Sequence, residues 1–435
     1  MFMDKIQNLA VKYASFTMQK SLRQNLQIDI LHKDFTKQPN LDKSYMLYAH
    51  IPFCHTFCPY CSFHKYAYNE EKAKAYFENL RAEMIDKKNL GYNFTSMYVG
   101  GGTTLINENE LLKTLELAKK LFDIKEISCE TDPNHINPNE LSKFKGLIDR
   151  ISVGVQSFDD EILKKVARYD KFGSKDVLID KLSKAIGILP VTSLDLIFNF
   201  PFQTKDGLIN DISIAKALSP DQITFYPLMK SNITKDKIAS SLGISQKDNE
   251  AQFYEIIRAE FKDYHSNNSW SFSKTKSNLQ DEYVGSNHEY LGVGSGAFSF
   301  MDGELYVNAF DLDEYGSRII NHRSATIAKC KFEQKQRLKY LFLTELFDGQ
   351  ICINEFNQKN QANLTQSLFL ELTMLKLTKA IIIKDGKITL SKFGRYLFVV
   401  LMKEFYIGMD MVRAVFRDGK KLKSGTKLKV MEGLE

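Results

Sequence analysis

Short apolar runs alternate with longer amphipathic stretches from residue 45 to about residue 226 of the chain. The apolar runs have the length and the β-branched and aromatic content of buried strands. They are Tyr45–Ile51, Ser96–Gly100, Glu126–Thr131, Asp149–Val153, Thr192–Phe198 and Gln222–Tyr226. The stretches between them have helical spacing and include Glu70–Lys88, Glu108–Phe122, Asp159–Arg168, Lys175–Ile186 and Ile209–Leu218. Strands that alternate with helices predict right-handed crossovers and a parallel sheet.

A doubly wound sheet and an open (β/α) barrel both fit this rhythm. Polar residues and glycines recur where the predicted strands end: cysteines after the first, glycines after the second, Glu130 in the third and Gln156 after the fourth. Barrel active sites lie at these carboxyl ends. We therefore predict an α/β fold, an open partial (β/α)6 barrel related to the TIM barrel, with its site at that end.

The flanking regions differ from this core. An amphipathic helical arm precedes it, and a Gly-rich stretch, Leu291–Ser299, follows it. After a helical region from Phe332, a hairpin on the turn Asp385-Gly386 predicts a small α+β, winged-helix-like domain. The predicted division is an arm over 1–43, a barrel over 44–280, a Gly-rich closing segment over 281–330 and the C-terminal domain over 331–435. We expect Leu291–Phe300 and that domain to close the open side of the barrel.

The composition is that of a folded protein, because 31 Phe and 20 Tyr are too much apolar surface to leave in water. The net charge of +6 is small for this length. The one local excess, the lysines near the C-terminus, reads as a frayed, solvated tail; they are Lys420, Lys421, Lys423, Lys427 and Lys429. No apolar run is long enough for a membrane span, and the N-terminus does not look like a signal peptide. We expect a cytoplasmic protein.

Three of the six cysteines, Cys54, Cys58 and Cys61, form a C-x3-C-x2-C motif on a loop that directly follows the first strand. Three thiolates can hold three irons of a [4Fe–4S] cluster and leave the fourth iron open for chemistry. The alternative is a zinc site completed by His64 or His55, although zinc ligands usually come in pairs from two segments. The remaining cysteines read as small core residues; they are Cys129, Cys330 and Cys352.

With Tyr60 before its last cysteine, this motif resembles that of the radical S-adenosylmethionine (SAM) superfamily. Further motifs follow in order and resemble the branch of the oxygen-independent coproporphyrinogen III dehydrogenase (oxidase) and the related heme chaperone. They are Tyr48–Cys54, Val99–Thr103, Glu130–Pro133, Ser152–Phe158 and Asp195–Thr204. The resemblance covers residues 44–300 well and the C-terminal part loosely.

The resemblance implies a radical SAM type of barrel with a [4Fe–4S] cluster on Cys54, Cys58 and Cys61, and SAM on its open iron. One electron from the cluster would cleave SAM to methionine and a 5′-deoxyadenosyl radical that abstracts hydrogen from a substrate. The positions that match SAM-contacting residues of the family are Tyr48, Gly101, Gly102, Thr103, Glu130, Gln156, Arg168 and Asp195. An electron donor such as flavodoxin or ferredoxin is also implied.

The resemblance leaves the reaction divided. Phe63 stands where the dehydrogenase has a further cysteine, Thr104 replaces a usual proline, and Phe298 stands where the chaperone-like branch tends to have histidine. The length and the N-terminal arm resemble the dehydrogenase. One hypothesis is an enzyme that decarboxylates the propionates of coproporphyrinogen III, or one that modifies or opens heme. The other is a heme-binding chaperone. The winged domain lacks a basic recognition helix, so we discount nucleic-acid binding.

Overall fold

The computed structural model describes residues 2–232, 234–244, 248–276, 279, 289–417 and 424–430. The predicted domain boundary at 280/281 and the tail lysines Lys420, Lys421 and Lys423 lie outside the described residues. The strands in chain order are β1 Gln27–Ile30, β2 Tyr45–Ile51, β3 Phe53–Cys54, β4 Tyr66–Ala67, β5 Phe94–Gly101, β6 Glu126–Thr131, β7 Arg150–Gln156, β8 Val191–Phe198, β9 Gln222–Pro227, β10 His265–Ser266, β11 Ser271–Ser273, β12 Tyr290–Val293, β13 Phe298–Met301, β14 Glu304–Asn308, β15 Thr326–Lys331, β16 Gln350–Cys352, β17 Ile381–Lys384, β18 Lys387–Leu390 and β19 Lys427–Lys429.

The helices are α1 Phe2–Asn25, α2 Glu70–Asn89, α3 Glu108–Leu121, α4 Pro138–Ser142, α5 Asp160–Lys165, α6 Tyr169–Phe172, α7 Lys175–Ala185, α8 Lys205–Leu218, α9 Lys235–Leu242, α10 Glu250–Glu260, α11 Leu312–Ile320, α12 Gln334–Phe347, α13 Ile353–Asn360, α14 Leu364–Ser367, α15 Phe369–Leu377 and α16 Lys392–Arg417, with a short 3₁₀ helix at Thr104–Asn107.

The core of the molecule is a run of parallel strands in the order β2-β5-β6-β7-β8-β9. These are the six predicted strands, and each begins and ends within three residues of its predicted bounds. The sheet does not close on itself, because β9 is followed by the antiparallel β11 and β10, while β12 lies parallel on the other side of β2. The prediction of an open α/β barrel with six parallel strands is confirmed.

Beyond β12 the same sheet continues through the antiparallel strands β13, β14 and β15, then β1 and β19. The Gly-rich segment therefore forms strand and turn within the sheet. A side chain at Gly292 would overlap the carbonyl oxygen of Phe298, and Gly294 has φ +102° directly over the carbonyl oxygen of His50. Glycine is needed at both positions because the backbones touch.

The C-terminal domain holds a second sheet in the order β16-β18-β17, with α12–α15 around it. Asp385 and Gly386 both have positive φ (50° and 72°), as a two-residue hairpin turn requires. The predicted hairpin and its winged-helix-like setting are confirmed. Strand β16 was not predicted, since three residues are too short for a recognisable alternation.

The long helix α16 was not predicted either, and it brings the C-terminal part of the chain against the N-terminal helix. It packs along α1, where the carboxylate of Glu404 accepts from Ser15 Oγ at 2.7 Å and Gln19 Nε2 at 2.9 Å. Among the described helices, none combines the length and apolar character that a bilayer-spanning segment needs. The prediction of a frayed tail is wrong for Lys427 and Lys429, which belong to β19 and pair with β1, whereas their side chains are exposed as expected.

A first prediction concerns the contact between the start of α16 and the backbone that precedes β17. A Cβ at Gly394 would overlap the backbone carbonyl of Ala380. We expect Gly394→Ala to lower the free energy of unfolding by about 1–3 kcal/mol, although alanine is the better helix former. The matched control is Gly207→Ala in α8, where the nearest atom is the Thr204 hydroxyl at 3.2 Å. Urea unfolding followed by circular dichroism measures both, and equal midpoints would contradict the packing.

Candidate functional site

A cleft with about 1430 Å³ of empty space, part of it open to solvent, lies at the carboxyl ends of the parallel strands. All but one of the predicted site residues line it. They are Cys54, Cys58, Cys61, Gly101, Gly102, Thr103, Glu130, Gln156, Arg168 and Asp195. We call this space the central cavity. The strand ends bring these residues together although 141 positions separate the first from the last.

The cysteine loop leaves the barrel directly after β2. Cys54 is in the short strand β3, and burial raises the pKa of its thiol. Thr103 Oγ1 lies 3.9 Å from Cys54 Sγ, and Arg168 Nη1 lies 3.7 Å from Cys58 Sγ. In the described part of the chain, no three His, Cys, Asp or Glu side chains converge to hold a single ion. A cluster does not need such convergence, because each thiolate binds a different iron.

The glycine turn after β5 packs against the backbone that leads into the cysteine loop. Gly102 N donates to Ile51 O at 2.8 Å, and Thr103 N donates to Phe53 O at 2.8 Å. Gly101 has φ +118°, and a Cβ there would lie 2.6 Å from the His50 ring. The turn therefore presents bare backbone to the cavity, as the approach of a ligand main chain requires.

Glu130, near the end of β6, holds its carboxylate in place at the cavity wall. Its Oε1 accepts from Tyr98 OH at 2.9 Å and its Oε2 from Gly101 N at 3.1 Å. Burial raises the pKa of this carboxyl, while both hydrogen bonds oppose the shift. A fixed acceptor beside a glycine turn suits a ligand that carries an amino group or other N–H donors.

Gln156, at the end of β7, and Arg168, just before α6, both line the cavity. Gln156 has φ 76° at a bulge in the pairing with β8, which is unusual for a residue other than glycine and redirects its side chain. Arg168 is buried, lies over the Phe172 ring at 4.3 Å and donates to the carbonyl oxygen of Gly154. Its Nε has no hydrogen-bond partner among the described residues.

Asp195, in β8, belongs to a polar network that fills the barrel below the cavity. Both of its carboxylate oxygens accept from Ser152 Oγ at 2.7 Å. Arg150, which is buried, donates to Gln222 and Ser152 of the same network. Burial raises the pKa of Asp195 to about 7, although the charge of Arg150 opposes the shift.

Tyr48 is the predicted site residue that does not line the central cavity. Its ring is buried beside Tyr98, and its hydroxyl lies 2.8 Å from His50 Nδ1. His50 Nε2 in turn lies 3.0 Å from His64 O, and burial lowers the pKa of His50 to about 4. Tyr48 therefore supports the cysteine loop and the glycine turn from behind.

The outer half of the cavity was not predicted. Its wall comes from α16, whose Tyr406, Asp410 and Arg413 share one helix face, from Tyr226 near the end of β9 and from Met229 after that strand. None of the described residues of Leu291–Phe300 lines the cavity. The segment pairs into the sheet beside β2, and the part of the expected closing region that covers the cavity is α16, within the predicted C-terminal domain.

The site has the features that the predicted cofactors need. Three free thiols line one cavity, and a bare glycine turn lies on its wall. Two buried polar atoms of lining residues, Arg168 Nε and Thr131 Oγ1, have no partner among the described residues. Because buried polar groups are normally paired, both atoms fit a bound ligand with acceptor groups.

Comparison with known proteins agrees with this geometry. Residues 48–213 match the model of the radical SAM superfamily. The chain is 30% identical to the heme chaperone HemW of Bacillus subtilis, over 62% of this chain and 74% of that protein. It is 29% identical to the oxygen-independent coproporphyrinogen III oxidase of Helicobacter pylori strain J99, over 49% of each chain. The solved structure of the Escherichia coli coproporphyrinogen III oxidase matches with a TM-score of 0.69 at 22% identity, over 83% of this chain and 90% of that chain.

A second prediction tests the cysteine loop. Cys54→Ala, Cys58→Ala or Cys61→Ala should each abolish the cluster. Each thiolate binds a different iron, so losing any one of the three leaves an iron without its protein ligand. Anaerobically reconstituted wild-type protein should hold about four irons and four sulfides. The controls are Cys129→Ala and Cys330→Ala, since both residues are buried away from the cavity and should be dispensable. Stoichiometric zinc without iron in anaerobically purified protein would sink the idea.

A third prediction uses the raised pKa of Asp195, about 7. Between pH 4 and 7 the folded protein keeps a proton on this carboxyl that the unfolded chain has released. The free energy of unfolding therefore falls as pH rises through this window, by at most about 1.4 kcal/mol per pH unit. Asp195→Asn removes this dependence. In denaturant titrations of the cofactor-free protein, the variant should gain stability over the wild type as pH rises; a constant difference would contradict the assignment.

Proposed function

Because the chain belongs to the radical SAM superfamily, in the branch of heme chaperones and oxygen-independent coproporphyrinogen III oxidases, we propose that it is a SAM-cleaving enzyme that acts on a tetrapyrrole. The first reaction to test is oxidative decarboxylation of coproporphyrinogen III propionates, and the second is modification or opening of heme. One observation carries the proposal: all of the predicted cluster and SAM residues except Tyr48 line a single cavity, and the outer half of that cavity is aromatic.

The family's cofactors are a [4Fe–4S] cluster and SAM. When bound, they supply a carbon-centred radical that abstracts hydrogen from a substrate. We assign Cys54, Cys58 and Cys61 to three irons of the cluster. The fourth iron is left to the amino and carboxylate groups of SAM, which is why the loop needs no fourth thiolate.

The remaining groups bind and orient SAM. Gly101 and Gly102 would let the backbone approach the amino acid part of SAM. Glu130, whose carboxylate accepts a hydrogen bond from Tyr98, would provide a fixed acceptor. The planar guanidinium of Arg168, whose Nε has no hydrogen-bond partner in the described part of the chain, suits the SAM carboxylate. We assign Gln156 and Asp195 as further contacts from the neighbouring strands.

The outer half of the cavity suits a flat, mostly apolar molecule with a few polar groups. Phe63, Tyr226 and Tyr406 provide aromatic surface there, and Met229 adds an adaptable apolar one. Together with α16, they would exclude water while hydrogen is removed from the substrate. Electrons would come from a small redox protein such as flavodoxin or ferredoxin.

A second candidate function is that of a heme chaperone, which keeps the cluster and the SAM site but delivers heme to acceptors. Two observations favour it. The chain spans more of the heme chaperone of Bacillus subtilis (74%) than of the Helicobacter pylori oxidase (49%). In addition, Phe63 occupies the position at which the coproporphyrinogen III oxidases have a further cysteine.

The test, our fourth prediction, is anaerobic reconstitution followed by incubation with SAM, dithionite and either coproporphyrinogen III or heme. An enzyme should release 5′-deoxyadenosine in step with a changed tetrapyrrole, detected by liquid chromatography and mass spectrometry. A matched control is Glu130→Ala, which should keep iron but weaken SAM binding, because it removes the fixed acceptor on the cavity wall and leaves the backbone contacts between the glycine turn and the cysteine loop in place.

The outcomes separate the candidates. Carbon dioxide and vinyl products identify the decarboxylase, whereas a changed heme identifies a heme-modifying enzyme. Stoichiometric heme binding and transfer to an apo-acceptor, with neither tetrapyrrole altered, would replace the enzyme by the chaperone. Iron-loaded protein that cleaves SAM but binds neither tetrapyrrole would overturn both.

A further inference from the structure

The outer half of the central cavity contains one arginine, Arg413, which α16 brings to the wall. The side chain is only 6% exposed, so its charge is held almost entirely inside the protein. Arg413 plays no part in the assigned cluster and SAM contacts, which are grouped at the strand ends. A buried cation on the wall of a binding cavity calls for an account of its own, because burying a charge is costly.

Two aromatic rings and one carboxylate fix the position of this guanidinium. Its central carbon lies 5.0 Å from the centre of the Phe63 ring and 5.4 Å from that of Phe298. Asp410 accepts from Nη1 at 2.6 Å, and its carboxylate also accepts from the hydroxyls of Ser62 and Ser231. Such stacking and pairing hold a planar fork ready to meet a carboxylate.

The other cations on the cavity wall lie at the cluster end. Lys65 Nζ donates to the carbonyl oxygen of Cys61 at 3.1 Å, and Lys171 Nζ lies 3.4 Å from the carboxylate of Asp132. Arg168 lies against Cys58 and Tyr60. Of the described cavity cations, Arg413 is therefore the one placed beside the aromatic surface of the outer half.

We propose that Arg413 binds a carboxylate of the tetrapyrrole and so selects carboxylate-bearing ligands. This inference rests on the proposed function, because it names the contact that the tetrapyrrole makes. A tetrapyrrole offers flat apolar surface for Phe63 and Tyr406 and carries propionate groups at its edge. Asp410 acts as a positioning residue that keeps the guanidinium oriented in the absence of ligand.

The experiment compares heme with heme dimethyl ester on reconstituted full-length protein, by absorbance titration under anaerobic conditions. The wild type should bind the free acid about 10- to 100-fold more tightly than the ester, the range expected for a charged hydrogen bond. Arg413→Gln should weaken heme by that factor, leave the ester almost unchanged and so remove the discrimination. Arg413→Lys should restore part of it. SAM affinity and iron content should stay at wild-type values in both variants.

The matched control is Arg417→Gln, one turn further along α16, where the side chain donates to the carbonyl oxygen of Phe63 at 3.3 Å. It removes the same charge from the same helix and should keep the preference for the free acid. If Arg413→Gln does not fold because Asp410 is left unpaired, the double variant Asp410→Asn with Arg413→Gln removes both charges together.

Two failures are distinguishable. If the wild type binds neither heme nor its ester, the same comparison is made with coproporphyrinogen III and its tetramethyl ester, and binding of none of the four overturns the proposed function and this inference with it. A wild type that binds heme, beside a folded Arg413→Gln or double variant that still prefers the free acid, overturns only the role of Arg413. Equal affinity of the wild type for heme and for its dimethyl ester would likewise overturn the role of Arg413 and leave the proposed function standing.

Discussion

The contact on which the site depends is the close approach of two backbones, the glycine turn after β5 and the strand end that leads into the cysteine loop. Gly102 and Thr103 donate to the carbonyl oxygens of Ile51 and Phe53, and no Cβ fits between the chains at Gly101 or Gly102. This pairing fixes the start of the cysteine loop relative to the wall that would receive SAM. The His50 ring fills the remaining gap, which is why that buried imidazole is held neutral between Tyr48 and the His64 carbonyl.

The rest of the site follows from the direction of the strands. Parallel strands place all their carboxyl ends at one edge, so Glu130, Gln156 and Asp195 meet there without any local signal for proximity. The polar filling beneath them, Arg150 with Ser152 and Gln222, continues from the cavity into the barrel. Glu130 and Asp195 carry raised pKa values in this setting because burial disfavours their charged forms.

The inner half of the cavity can therefore be predicted from the sequence, because apolar runs locate the strand ends and the motifs at those ends have fixed spacing. Arg168 followed from the family motif alone, since its helix-end position carries no local signal. The outer half was missed for a physical reason. Tyr406, Asp410 and Arg413 are spaced as one helix face, but their contacts reach back about 350 residues to Phe63 and nothing local states which surface they meet. The Gly-rich segment was expected to cover the cavity but forms strand and turn within the sheet. Its glycines do not distinguish the two arrangements, because packed turns and mobile loops both favour glycine.

The pairing of β1 with β15 has a consequence for biosynthesis. Asp29 pairs with Lys329, so 300 residues must be translated before the first strand meets its partner. At a synthesis rate of about 5–20 residues per second, this delay is roughly 15–60 s. The cysteine loop leaves the ribosome early in that interval, and the segment that forms α16 follows only after β15. The outer wall of the cavity is thus synthesised after the cysteine loop and after all six parallel strands of the barrel, so α16 cannot cover the loop until most of the chain has been made.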